Sequence, residues 1–125
     1  MKKDYTICKL FGGYMLILLF MILSSNSNAQ TYECDEDLCV VEFNASWNSA
    51  NNVEWLSKLS DVGTKRILID NGDWQKDFSI FVTPTIVIFV NGKETKRYQA
   101  NIMMEMEVKK TEVQDKIDEI IMEEF

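Results

Sequence analysis

Cys34 and Cys39 are the side chains of this 125-residue sequence best suited to covalent chemistry. Separated by Asp35-Glu36-Asp37-Leu38, they can close a disulfide loop of about six residues, which on a chain-entropy argument stabilises a fold by about 2 kcal/mol. In an exported chain such a pair reads as a structural disulfide. The alternative is a redox pair, although C-x-x-x-x-C lacks the helix N-terminus that lowers the pKa of a working thiol. Other chemistries drop out. The sequence has no histidine, which excludes Ser-His-Asp and Cys-His catalysis and most zinc sites. It has no Gly-rich phosphate loop. Its carboxylates are scattered, several of them along the polar side of the C-terminal segment, and Asp70, Asp73 and Asp77 lack the spacing of a calcium loop. No metal and no cofactor is expected. Asn44-Ala45-Ser46 spells a glycosylation sequon, at a predicted strand end.

The first 29 residues have the composition of an export signal. Lys2, Lys3 and Lys9 precede an apolar run at 11–23, and residues 24–30 are small and polar. That is the order of a secretory signal peptide, and Ser27-Asn28-Ala29 predicts cleavage before Gln30. The run of about 13 residues falls short of the roughly 20 a spanning helix needs. The expected mature chain is residues 30–125, exported to the periplasm or secreted. Losing three lysines and one aspartate takes the formal charge from −7 to −9. Such acidity repels phosphate backbones and anionic lipid, so neither nucleic acid nor a membrane surface is an expected partner after cleavage.

These residues must be positioned by a compact set of elements. Residues 39–43 form a short β-rich run. Residues 48–59 follow a helical pattern with Val53, Leu56 and Leu59 on one side, with Asn48 or Ser49 as N-cap and Gly63 as terminator. Residues 66–69 read as a second buried strand, and 74–78 as a short helix. Residues 85–90 are nearly all β-branched or aromatic, as in a strand covered on both faces. Asn91-Gly92 then predicts a hairpin into 94–98. The chain ends on an amphipathic helix carrying Val113, Ile117, Ile120 and Ile121, with Thr111 and Gln114 as a capping box. Residues 102–108 fit either a strand or a connecting segment.

In that order the residues resemble the thioredoxin family. Val40-Val41-Glu42-Phe43-Asn44-Ala45-Ser46-Trp47 is similar to the family's V-V-D-F-W-A-x-W strand, with Glu42 in place of its buried acid. Val82-Thr83-Pro84-Thr85 is similar to the cis-proline segment, and 86–94 to the strand and hairpin after it. The resemblance spans about residues 40–121. It implies a three-layer α/β/α sandwich with a minimal four-stranded mixed sheet of order 2-1-3-4. It also implies a peptide groove built from Trp47, Asn48, Ser49, Ala50, Asn51, Thr83 and Pro84, with Thr83-Pro84 cis and facing Trp47. The family's W-C-x-x-C stands here as Trp47-Asn48-Ser49-Ala50-Asn51. An amide is neither nucleophile nor redox couple, so the site itself is expected to be redox-inactive.

Two functions remain open. One is a non-catalytic module that binds a protein or an extended peptide. The other is a divergent thiol–disulfide oxidoreductase using Cys34 and Cys39. If Asn48 heads a helix above Glu42, Asn48→Cys with Asn51→Cys should return disulfide reduction.

Overall fold

Leu38–Asn44 (β1) is the axis of the molecule, and all seven of its side chains are buried. The computed structural model describes residues 31–125. A strand as apolar as Leu-Cys-Val-Val-Glu-Phe is stable only with neighbours on both edges and cover on both faces. It pairs in parallel with Gly63–Leu68 (β2), with Val41 opposite Lys65. On the other edge it runs antiparallel to Thr85–Val90 (β3), with Val41 opposite Val87. Lys93–Gln99 (β4) completes the sheet against β3, with a register shift at Ile88/Phe89. The order is β2-β1-β3-β4, as the family resemblance implies.

The two-residue period of the strands sorts their side chains into two cores. On one face Leu38, Val40, Ile86, Ile88 and Val90 pack with Val53, Leu56, Leu59 and with Val113, Ile117 and Ile120 of the C-terminal helix Lys110–Glu124. On the other, Cys39, Val41, Phe43, Val87 and Phe89 meet Tyr32, Ile67, Phe78 and Ile80. A short helix, Trp74–Asp77 (α1), and the lead-in at Tyr32 cover this second face. Phe43 and Phe78 ring centroids lie 5.4 Å apart, and those of Tyr32 and Phe89 5.3 Å apart. The 15-residue helix, α2, makes the third layer. At the β3–β4 turn Asn91 and Gly92 both adopt positive φ, 51° and 84°. Gly92 is required for a second reason: a Cβ there would sit 2.9 Å from the Tyr32 carbonyl oxygen. The same close approach lets the Tyr32 N–H donate to the Gly92 carbonyl at 2.9 Å.

Three sequence expectations give way. The helix predicted over 48–59 is two short 3₁₀ segments, Ser46–Asn51 and Leu56–Lys58. Asn48 leaves helical space at φ −112°, ψ 21°, and Asn52 is extended at ψ 142°. Val53, Leu56 and Leu59 are nonetheless buried, so the apolar spacing is right and the backbone path is not. The cause is local: asparagine amides here bond to nearby backbone and to one another, in competition with a helical ladder. Secondly, Gly63 opens β2 rather than ending a helix. Thirdly, α2 has no side-chain cap. Gln114 instead bonds Ser60, accepting from its N–H at 2.8 Å and donating to its carbonyl at 3.2 Å.

Residues 102–108 form no strand. Asn101 organises them as a turn, its Oδ1 accepting from the N–H groups of Met103 (2.9 Å) and Glu105 (3.0 Å). The predicted signal peptide, residues 1–29, lies outside the described residues. Among the described residues no helix is long and apolar enough to cross a membrane.

Candidate functional site

At the C-terminal end of β1 the strand runs out into a run of amides. Asn44 is fully buried. Its Oδ1 accepts from the Ala45 N–H at 2.8 Å and from Asn48 Nδ2 at 3.1 Å. Its Nδ2 donates to the Asn48 carbonyl at 3.2 Å and to Asn52 Oδ1 at 2.6 Å. Asn51 Nδ2 donates to Asn48 Oδ1 at 2.9 Å. Asn48 also reaches across to the carbonyls of Thr83 (3.4 Å) and Met104 (3.5 Å). Four asparagines thus tie the end of β1 to the 3₁₀ turn, to the Thr83-Pro84 loop and to the 101–109 segment. Among the described residues no buried side-chain polar atom is left without a partner. Asn44 is therefore committed inside the fold, and its sequon is inaccessible once the chain has folded.

Glu42, two residues earlier, is also fully buried, as the family resemblance implies for the acid on this strand. Its carboxylate accepts from the Val53 N–H at 3.2 Å and from Arg66 Nε at 3.0 Å, while Arg66 Nη2 donates to the Val53 carbonyl at 2.8 Å. This clamp fixes the chain after the amide turn to β1 and β2. Burial pushes the Glu42 carboxyl above its ordinary value, against the opposing pull of the Val53 N–H and the Arg66 charge.

The expected groove residues separate in the structure. The Thr83-Pro84 bond is cis, and both residues are buried. Thr83 and Trp47 line one cleft of about 340 Å³, and Trp47 is 67% exposed. Asn48 lies beneath the surface as the hub of the amide network, with Asn51 half-buried beside it. Ser49 and Ala50 are exposed and do not line the cleft. Phe81, Ile102, Met104 and Asp70, none of which the sequence places in the groove, do line it. Phe81 is 80% exposed and Ile102 98%. The available signal was an apolar side chain just before Val82-Thr83-Pro84, and three consecutive apolar residues, 102–104, outside any regular element.

Asp70 stands at the cleft wall with one oxygen accepting from the Ser46 N–H at 3.0 Å and the other from the Ser46 hydroxyl at 2.5 Å. Those two bonds hold its carboxyl below the usual carboxylate value.

Cys34 and Cys39 form a disulfide, with their Cα atoms 6.2 Å apart, inside the usual range for such a bond. Cys39 is buried at the start of β1 and Cys34 is half-buried. Asn44 lies five residue steps along the strand from Cys39, about 17 Å at about 3.3 Å per residue. The disulfide and the Trp47 cleft therefore sit at opposite ends of the sheet. The expectation of a redox-inactive chain does not extend to this pair, because a disulfide is itself a redox couple. The bond lines a second cleft of about 310 Å³ with Glu33, Asp35, Glu36 and Lys65. Among the described residues no cluster of ligating side chains is arranged to hold a metal.

This sheet order, with its cis-proline ahead of β3 and helices on both faces, is the thioredoxin-like fold. A mutant thioredoxin from Halobacterium salinarum superposes with a TM-score of 0.55 at 20% identity, over 68% of this chain and 75% of its own. Schistosoma mansoni thioredoxin does so at 0.53 and 19%, over 70% and 80%. A designed protein matches at 0.52 and 19%, over 77% and 87%. At such identities the likeness is one of fold. No protein-family model matches the sequence, and no curated protein does.

Proposed function

We propose that the protein is an exported, non-catalytic thioredoxin-fold module that holds an extended protein segment in the Trp47 cleft. The observation that carries this reading is the apolar rim. Trp47, Phe81, Ile102 and Met104 line one cleft while remaining 67, 80, 98 and 38% exposed, with Met103 beside them at 69%. Large apolar side chains concentrated around one concavity mark an interaction surface. Asn48 and Asn51 stand, by the family resemblance, where the redox thiols would be, and here Asn48 bonds the carbonyls of Thr83 and Met104, which line the cleft. The backbone beside Thr83-Pro84 is the part an extended segment would pair with. Nuclear magnetic resonance titration with a panel of apolar, β-prone peptides tests the reading. Amide shifts should cluster at Trp47, Phe81, Thr83 and Ile102, and Trp47→Ala with Phe81→Ala should abolish them. Shifts spread evenly over the sheet would count against it.

A second reading rests on the disulfide. Cys34–Cys39 would serve as a dithiol–disulfide couple if its potential lay well above about −300 mV. The first reading is preferred because Cys39 is buried within a strand and neither sulfur lies at a helix start. Equilibration against glutathione buffers separates the two. A lower potential marks the bond as structural.

A further inference from the structure

We propose that the Trp47 cleft selects segments in which an apolar side chain is followed closely by arginine or lysine, with Asp70 and the Trp47 ring as the receptor for the cation. The inference rests on the cleft being the binding site and adds the chemistry of its occupant. Of the residues that line the cleft, Asp70 alone is ionisable. Aromatic and aliphatic side chains make up most of the remainder, with the neutral amides Gln75 and Asn101. A segment lying there meets apolar surface along its length and a single fixed negative charge.

That charge is preorganised. Ser46 grips both Asp70 oxygens, at 3.0 and 2.5 Å, and leaves each oxygen a further acceptor site for an incoming N–H. The same bonds keep the carboxyl ionised well into the acid range. Ser46 is the chain neighbour of Trp47, so the carboxylate's anchor and the exposed indole belong to one turn. An arginine or lysine stem can lie over the indole while its head meets the carboxylate, combining apolar contact, cation–π attraction and an ion pair. Lys76, next to Gln75 on α1, is not among the lining residues. Asp73 and Asp77 on the same stretch, with Glu105 and Glu107 beyond Met104, add to the negative field, and residues 30–125 carry −9 in all. An acidic or phosphorylated segment would be repelled.

The test uses the full chain and three otherwise identical peptides, each with an extended apolar core followed by Arg, Gln or Glu. Affinities are measured by calorimetry in low and high salt. The Arg peptide should bind about fivefold more tightly than the Gln peptide, as a partly exposed ion pair with an aromatic contact permits, and the Glu peptide more weakly than both. High salt should shrink the spread. Asp70→Asn, which keeps an acceptor for Ser46, should level Arg with Gln, and Asp70→Lys should reverse the order in favour of Glu. Equal binding of Arg and Gln peptides by the unaltered chain would overturn the selection while leaving the cleft as a binding site. An Arg preference that survives Asp70→Asn would overturn the assignment to this carboxylate. Binding of none of the three would overturn both the selection and the reading of the cleft.

Discussion

The two ends of β1 are held by opposite means. At its start Cys39 is fixed to Cys34 by a covalent bond, beside an acidic lead-in and a polar cleft. At its finish Asn44 is fixed by four hydrogen bonds to backbone and side chains of the next eight residues, beneath an apolar rim. A crosslink restricts the unfolded chain and asks little of its neighbours. A buried amide network does the reverse, since it is favourable only when every member is in place, and so it dictates the path of the backbone around it. The proposed binding surface lies at the hydrogen-bonded end. There the chain is shaped as well as anchored.

The largest expected effect comes from breaking that shaped end. Asn44→Ala removes four bonds at a fully buried site and strands the Ala45 N–H, so urea titration should show a loss of about 3 kcal/mol. A loss below about 1 kcal/mol would mean the network is dispensable. Next in size is Cys34→Ser with Cys39→Ser, expected to cost about 2 kcal/mol while leaving peptide titrations at the Trp47 cleft unchanged. A parallel loss of binding would show that the two ends are coupled. The double change Asn48→Cys with Asn51→Cys sharpens the contrast further. Asn48 is interrupted 3₁₀ backbone, not the head of an α-helix, so the dipole that would activate a thiolate is absent. Insulin reduction should stay near background, with stability lowered by roughly 2 kcal/mol through the lost amides. Brisk reduction would show that thiols alone suffice.

The smallest effect is a pH dependence from Glu42, midway along the strand. Its folded-state pKa is raised above the ordinary 4.5 by burial, so the folded chain holds this proton more tightly than the unfolded chain does. The group's contribution is fully present below 4.5 and is lost as pH rises through the raised value. Glu42→Gln should therefore flatten the stability profile from pH 4.5 upward, as followed by thermal melts. A profile unchanged by the substitution would place the titrating group elsewhere.

Much of this was legible in the sequence, for identifiable reasons. Residues 85–90 admit no polar face and Asn91-Gly92 permits a mirror turn, so β3, its burial and the hairpin could be read from side-chain type alone. The motif around Val40 and the Thr83-Pro84 segment likewise carried the sheet order. What failed was the stretch 46–59, where apolar spacing at Val53, Leu56 and Leu59 imitates a helix but asparagine chemistry overrides it. Spacing reports which side chains go inward, and says nothing about which backbone route takes them there. The cleft was half legible. Trp47 and Thr83 were in view through the resemblance, whereas Phe81, Ile102 and Asp70 come together only through the turn at Asn101 and the path after β2, neither of which has a periodic signature.

The sheet order also leaves β2 and β4 as open edges, and those two strands hold Lys65, Arg66, Lys93, Lys96 and Arg97. They are half of the ten basic residues after position 30. An unpaired strand is a template onto which another copy's strand can grow, and fibrils propagate in that way. Here Lys65 on β2 and Lys93 and Lys96 on β4 oppose such a meeting, Arg66 and Arg97 being paired with Glu42 and Glu94, while the acidic remainder of each molecule keeps the other surfaces apart. Much of the scarce positive charge of an acidic protein thus lies where unwanted polymerisation would begin.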